Sequence, residues 1–432
     1  MTPGPPTPWP GEPPDDHDPP PPLAAGPATR GHTPTAHHPP PRVASTDRSA
    51  PVRAASADEP PTLRAASADE PLAPRAAPAV ATATATPRVP SPDAPRGDGA
   101  LGERLAEAVV ASDAPDVVFA LSRHGRRTVL SGGTAAPPPL PRVDLRYEIG
   151  SATKTFTGLT LARLIHGGRL TGGEPATMFL DAGRPAGPDP VTLAHLITHT
   201  SGLPALPAGF YLRGLPAWRT NPYARFPAER VVDAFLRHRP RHRPGTRWRY
   251  SNYGVSVLGH ALSAATGTPW EDLLTEQVLR LLGLNGTALR ADGSGLDATG
   301  HGKDGESPVP AFDPGGFQAA GAVRATPHDL LTFLEAHLDP AGAPRRLAAA
   351  LRAVCRPVLR RGIGHRHVHT IAWFRHPTDG GPMYFHSGAT LGQQAFLGFR
   401  PDTRTALAAL CTRRFRAHDP FLAAAYALLA EE

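Results

Sequence analysis

Apolar and polar positions show no helical or strand period over the first hundred residues, and regular patterning begins near Leu101. The spacing over Leu101–Val110 predicts a helix. Val117–Ser122 and Thr128–Ser131 flank a His124-Gly125 turn and predict a hairpin. After the Pro-rich loop Pro137–Pro141, Asp144–Ile149 predicts a short strand leading into a helix that opens at Ser151. Phe156, Leu159, Leu161, Leu164 and Ile165 lie nearly all round that helix, so burial inside the domain is expected. Gly167-Gly168 ends it.

The middle of the chain reads as helical. Thr192–His199 predicts a short helix running into a Thr200–Pro204 turn, and Pro227–His238 an amphipathic one with proline at its start. Asn252–Ala265 and Pro269–Leu282 follow, the second expected to open on a Thr268-Pro269-Trp270-Glu271 capping box. Leu289–Pro314 predicts a long loop, and Thr326-Pro327-His328-Asp329 caps a helix reaching about Leu338. The pattern then turns to β, with strands expected at Thr370–Phe374, Met383–His386, Gln394–Phe399 and Thr405–Thr412, and a closing helix at Asp419–Leu429. Early strands, a helical middle and a late antiparallel meander imply a sheet assembled from both ends, with an all-α block inserted between them.

Composition sets the first hundred residues apart. About half of the 54 prolines fall there, and the octamer Arg53–Pro60 recurs as Arg64–Pro71. A polar duplication of this kind reads as low complexity, so residues 1–98 are expected to be a disordered leader and residues 99–432 the folded domain. Within the domain, 99–190 and 320–432 form the α/β part and 191–319 the mostly helical part. Nothing before about Pro95 is expected to be needed for folding, which allows a true start downstream of Met1. No basic segment followed by an apolar one marks a secretory signal, and no apolar run approaches the roughly 20 residues of a membrane span. A cytoplasmic location is the expectation if Met1 is the start.

The net charge of +7 is carried by scattered arginines without a nucleic-acid motif, so nucleic-acid binding is not expected. Cys355 and Cys411 make no Cys-x-x-Cys pair. Lysine occurs only at Lys154 and Lys303 among 45 lysines and arginines. Arginine does not deprotonate in proteins, whereas a desolvated lysine can act as a base. Lys154 follows Ser151 by three residues, one helical turn, so a neutral lysine could take the hydroxyl proton and activate it as a nucleophile. Tyr250 and Asn252 alternate on an extended segment before a helix and are expected to face one cleft. His386 and Gly388 share a strand face, the glycine allowing a substrate backbone close approach. The N–H groups of Ser151 and Ala389 could form an oxyanion hole.

Ser151-x-x-Lys154, Tyr250-Ser251-Asn252 and His386-Ser387-Gly388 stand in the order and rough spacing of the three motifs of the penicillin-recognising serine hydrolases. The second and third resemble the branch of class C β-lactamases, serine D-alanyl-D-alanine carboxypeptidases and esterases, as do Leu193–Leu203 and Gly315–Thr326. The resemblance covers about Leu101 to Leu429. It implies an α/β, β-lactamase/transpeptidase-like fold, an antiparallel sheet flanked by helices with an inserted all-α subdomain. It also implies a serine hydrolase acting on an ester or amide carbonyl of a small molecule or peptide, without metal or organic cofactor. Ser151, Lys154 and Tyr250 would be catalytic, and Asn252, His386, Ser387, Gly388 and Ala389 would bind substrate. His386 replaces the lysine of class C β-lactamases, which favours esterase or D-amino-acid peptidase activity. Gly172–Pro175 departs from the Leu-Asp-Asp-Pro turn usual in the family. An acyltransferase, or a non-catalytic binding relative, is the alternative.

Two groups of histidines have spacings that invite a metal. His195 and His199, at i and i+4, read as packing and turn residues, and His365, His367 and His369 lack the continuation expected of metallo-hydrolases.

Overall fold

Strand Val117–Arg123 pairs antiparallel along its whole length with Thr405–Cys411, Val117 opposite Cys411 and Arg123 opposite Thr405. The sheet is therefore closed by early and late parts of the chain, as the order of patterns implied. The computed structural model describes residues 99–432 apart from 186, 218–219, 240–241, 362–366 and 417–418, so the Pro-rich segment lies outside the described residues. Arg126–Gly132 returns beside Val117–Arg123 through His124 (φ 51°) and Gly125 (φ 80°), the left-handed pair of a two-residue hairpin turn. On the other side follow Gln394–Arg400, Gly381–Ala389, Phe374–Thr378, His367–His369 and Leu359–Arg361, completing an eight-stranded antiparallel sheet.

Gln394–Arg400 and Thr405–Cys411 are buried at every position, because both faces of the sheet are covered. Phe119, Met383, Phe385, Phe396 and Leu407 pack on one face against helices Gly99–Ala111 and Pro420–Glu431. Tyr384, Leu397, Phe399, Ala408 and Leu410 face the larger core on the other. Each fully buried Leu or Phe contributes about 1.5–3 kcal/mol of transfer free energy. Arg400, inside the sheet, donates through Nη1 to the Leu429 and Ala430 carbonyls at the end of the last helix (3.3 and 2.8 Å).

Helix Thr153–His166 runs through the larger core, with Phe156 stacked on Phe333 at 3.9 Å between ring centroids. Helix Pro327–Leu338 begins at Thr326, whose hydroxyl accepts from Asp329 N (3.2 Å), as expected. The mostly helical region holds Leu193–Ile197, Ala228–Arg237, Asn252–Thr266 and Trp270–Leu274, the last running through a π-turn at Thr275–Leu279 into Arg280–Leu282.

Several local expectations are corrected. The Thr268 capping box does not form: Pro269 is extended (φ −52°, ψ 146°) and itself takes the N-cap place, so the helix starts one residue late. Of Asp144–Ile149 only Tyr147–Glu148 is strand, paired with Arg324–Ala325, since Arg142–Asp144 coils into a 3-10 turn and Ile149 leaves extended geometry (ψ 1°). Thr370–Phe374 is a turn up to its last residue, because the Thr370 hydroxyl captures Trp373 N at 3.0 Å. The Leu289–Pro314 loop contains a short pairing of Gly300–His301 with Pro308–Val309. Helix Arg345–Val354 was not anticipated, although Leu347, Leu351 and Val354 already carry its period. At 172–175 the turn is made by Glu174, whose carboxylate accepts from Thr171 N and Gly172 N (2.6 and 2.8 Å). Among the described residues no helix is long and apolar enough to cross a membrane.

Candidate active site

The chain leaves Tyr147–Glu148 and turns at Gly150, whose φ of +49° suits glycine. Ser151 lies in the 3-10 turn Gly150–Ala152 that runs directly into helix Thr153–His166, two residues before the α-helix rather than as its first residue. It is half-buried between buried neighbours. Lys154 sits in the first α-turn with 1% exposure. Its Nζ donates to the Ala320 carbonyl (3.0 Å) and lies 5.0 Å from the centroid of the Tyr250 ring. Burial pushes its pKa well below the ordinary lysine range. The Ala320 carbonyl is fixed by its neighbours: Thr157 Oγ1 donates to Ala319 O (2.6 Å), and Val323 N donates to Thr153 Oγ1 (3.1 Å).

Tyr250 is buried on the link before helix Asn252–Thr266. Its place is set by Ser251, the true N-cap, which accepts from Gly254 N (2.8 Å) and donates to Pro204 O (2.6 Å). Asn252 is therefore the first helical residue and not part of the extended segment. Tyr223 hydrogen-bonds the Asn252 side chain, and Asn252 Oδ1 is buried without a protein partner among the described residues. Beneath Tyr250 lies His199, held at φ 59°, whose Nδ1 accepts from Ser251 N (3.2 Å) and whose ring is 4.6 Å from that of Tyr250. His195 completes a capping box with Thr192. The Nδ1 atoms of both histidines thus accept backbone N–H groups in the turns around them.

Strand Gly381–Ala389 passes beside the Ser151 turn. A Cβ at Gly388 would sit 1.9 Å from Ile149 O and 2.8 Å from Ser151 N, and one at Gly150 would sit 2.7 Å from Ala389 N. The two glycines let the Ser151 and Ala389 peptides come together. His386 shares the face of Gly388, whereas alternation sets the half-buried Ser387 on the opposite face. His386 Nδ1 bonds Ser387 O (2.6 Å), and burial, with Lys154 nearby as the second cause, lowers the His386 pKa to about 3. Its imidazole is neutral at pH 7. Lys154, His199, Trp248, His369, Trp373 and His386 line a small pocket behind the lysine. His365, and the side chain of His367, lie outside the described residues.

Three supporting residues escaped the sequence reading. Buried Glu148 accepts from Phe312 N (2.7 Å) and Thr390 Oγ1 (2.6 Å) and pairs with Arg324 (3.5 Å). Gln393 accepts from Glu148 N (2.9 Å) and donates to Ala298 O (2.8 Å). Together they tie the stretch after Ala389 to the strand before Ser151. A carboxylate three residues before the candidate nucleophile was the visible signal.

This arrangement of sheet, helices and cleft is that of class C β-lactamase structures. The chain is similar to a class C β-lactamase from Rhodobacter sphaeroides with a TM-score of 0.65, at 20% identity, covering 77% of this chain and 99% of that one. The Beta-lactamase family pattern matches residues 102–432, and the chain belongs to that family of serine hydrolases. Curated relatives include a β-lactamase of Pseudomonas fluorescens, 28% identical over 56% of this chain and 64% of its own length. The D-alanyl-D-alanine-carboxypeptidase/endopeptidase AmpH of Escherichia coli is 28% identical over 46% of this chain and 50% of its own length. Esterase EstB of Burkholderia gladioli is 29% identical over 54% and 69%. The chain thus spans about half to two thirds of the length of the first curated relatives it matches.

Proposed function

We propose that the protein cleaves an ester or amide bond through an acyl-enzyme on Ser151, as an esterase or D-amino-acid peptidase in preference to a β-lactamase. The observation that carries this reading is Lys154, a desolvated lysine against Tyr250, one turn after Ser151, in a chain whose other basic residues are all arginine except Lys303. Lys154, neutral at working pH, takes the Ser151 proton as Oγ bonds to the carbonyl carbon. The N–H groups of Ser151 and Ala389 hold the resulting oxyanion. The bond to the leaving group then breaks, and Tyr250 hands the leaving group a proton. Water attacks the acyl-enzyme, gives up its proton to the Lys154–Tyr250 pair and releases the acid, restoring Ser151. Asn252 and the His386–Ala389 stretch, with Ser387 contributing its backbone, bind the substrate. A neutral His386 supplies no cation for a substrate carboxylate, which supports a neutral ester or a D-amino-acid amide over a β-lactam acid or a peptide with a free C-terminal carboxylate. The relative named as an esterase agrees with a neutral substrate.

The test is intact-mass spectrometry of wild type and Ser151→Ala after exposure to a fluorophosphonate and, separately, to a penicillin. A fluorophosphonate adduct that disappears in Ser151→Ala is expected, with a slow or lasting penicillin adduct. Folded wild type that forms neither adduct would overturn the reading.

A further inference from the structure

We infer that the acyl side of this cleft extends over an apolar rim made by Tyr211, Leu212 and Leu215, and that the substrates carry an alkyl or aryl chain on the acyl group. This rests on the proposed nucleophile Ser151. The three side chains are 51%, 78% and 67% exposed, and they are the one place among the described residues where large exposed hydrophobics cluster within five positions. Clustered apolar exposure marks a surface that gains a partner or a ligand.

The rim is held out by its own packing. Phe210 at its root is 1% exposed and meets the rings of Tyr223, Phe226 and Phe317 at 5.0, 5.8 and 5.7 Å, so helix Phe210–Gly214 cannot roll inward to hide its outer face. The segment that carries it is anchored beside the cleft at both ends. Upstream, Pro204 O accepts from Ser251 Oγ (2.6 Å) and Ala205 O accepts from Tyr253 N (3.1 Å), the residues on either side of Asn252. Downstream, Asn221 donates to Asp313 O (2.7 Å), and Tyr223, which bonds the Asn252 side chain, packs edge-on against Phe312 at 5.4 Å. Phe312 N in turn binds Glu148, three residues before Ser151. Both ends of the segment are therefore fixed to the walls of the cleft beside Asn252. On this inference an acyl group on Ser151 runs past Asn252 along this anchored segment towards the rim.

The test uses the full chain and p-nitrophenyl esters from acetate to octanoate. In wild type, kcat/KM should rise from acetate to hexanoate. In Leu212→Ser/Leu215→Ser, whose side chains are exposed, the hexanoate-to-acetate ratio should fall roughly ten-fold. An unchanged ratio in the variant overturns the inference. So does a chain-length preference that follows the alcohol of acetate esters and not the acyl group. Variant-sensitive self-association, or binding to phosphatidylglycerol vesicles, with the ratio unchanged would assign the face to a second copy or a lipid surface, and overturns it equally. Fluorophosphonate labelling runs in parallel. A labelled enzyme with a flat acyl series overturns only the rim, whereas absent labelling overturns the nucleophile itself.

Discussion

Gly388 touches the peptide of Ser151 so closely that a methyl group there would fall 2.8 Å from Ser151 N and 1.9 Å from Ile149 O. Gly388→Ala must push the strand away from the Ser151 turn. If the two peptides form an oxyanion hole, kcat/KM for an ester should drop by about 100-fold or more while the fold is retained. Fluorophosphonate labelling rates beside a thermal melt would check this, and labelling at the wild-type rate would remove the hole from this place.

Lys154→Arg keeps the positive charge and removes the base. Acylation should fall by at least about 1000-fold. In wild type the sign of the pH dependence follows from burial: the lowered pKa leaves more neutral lysine as pH rises, so acylation climbs through an acid limb well below the ordinary lysine range. Pre-steady-state acylation against pH measures both effects.

Stability should fall in mild acid. His337 and His386 are buried, with pKa values lowered to about 4 and about 3. The unfolded chain binds protons below about 6.5 that the folded state refuses, so stability is lost as pH drops from there toward 4. The loss should be roughly 2 kcal/mol per histidine by pH 5. Urea midpoints at pH 7 and pH 5 give the slope, and His337→Phe, away from the proposed chemistry, should flatten it.

Ser251→Ala removes both a helix cap and the tie to Pro204. A loss of about 1–2 kcal/mol in urea unfolding is expected, together with slower acylation as Tyr250 loosens. Ser251→Thr should restore most of both. Equal stability of Ser251→Ala and wild type would show that the cap is idle.

Elements with strong periods or plain turn chemistry were legible in the chain: the His124-Gly125 hairpin, the Thr326 cap and the all-round apolar helix after Ser151. What misled were short-range competitions. Proline took the N-cap place from Thr268, and the Thr370 hydroxyl curled an apparent strand into a turn. At the site, the residue types and their order pointed to Ser151, Lys154, Tyr250 and the His386–Ala389 stretch, because their chemistry is local. Glu148, Gln393 and Arg324 were not legible, since a buried carboxylate is explained only by loops distant in sequence. The rim at 211–215 was not legible either, since only the buried, inward position of Phe210 turns Tyr211 and Leu212 outward.

The pairing of Val117–Arg123 with Thr405–Cys411 has a consequence for biosynthesis. On the ribosome Ser151 and Lys154 emerge long before the strand that carries Ala389, and the first hairpin waits with an apolar edge open until the last strand is released. Such non-local closure is slow and leaves a sticky intermediate. The nascent chain should therefore be inert toward substrate until translation is nearly complete.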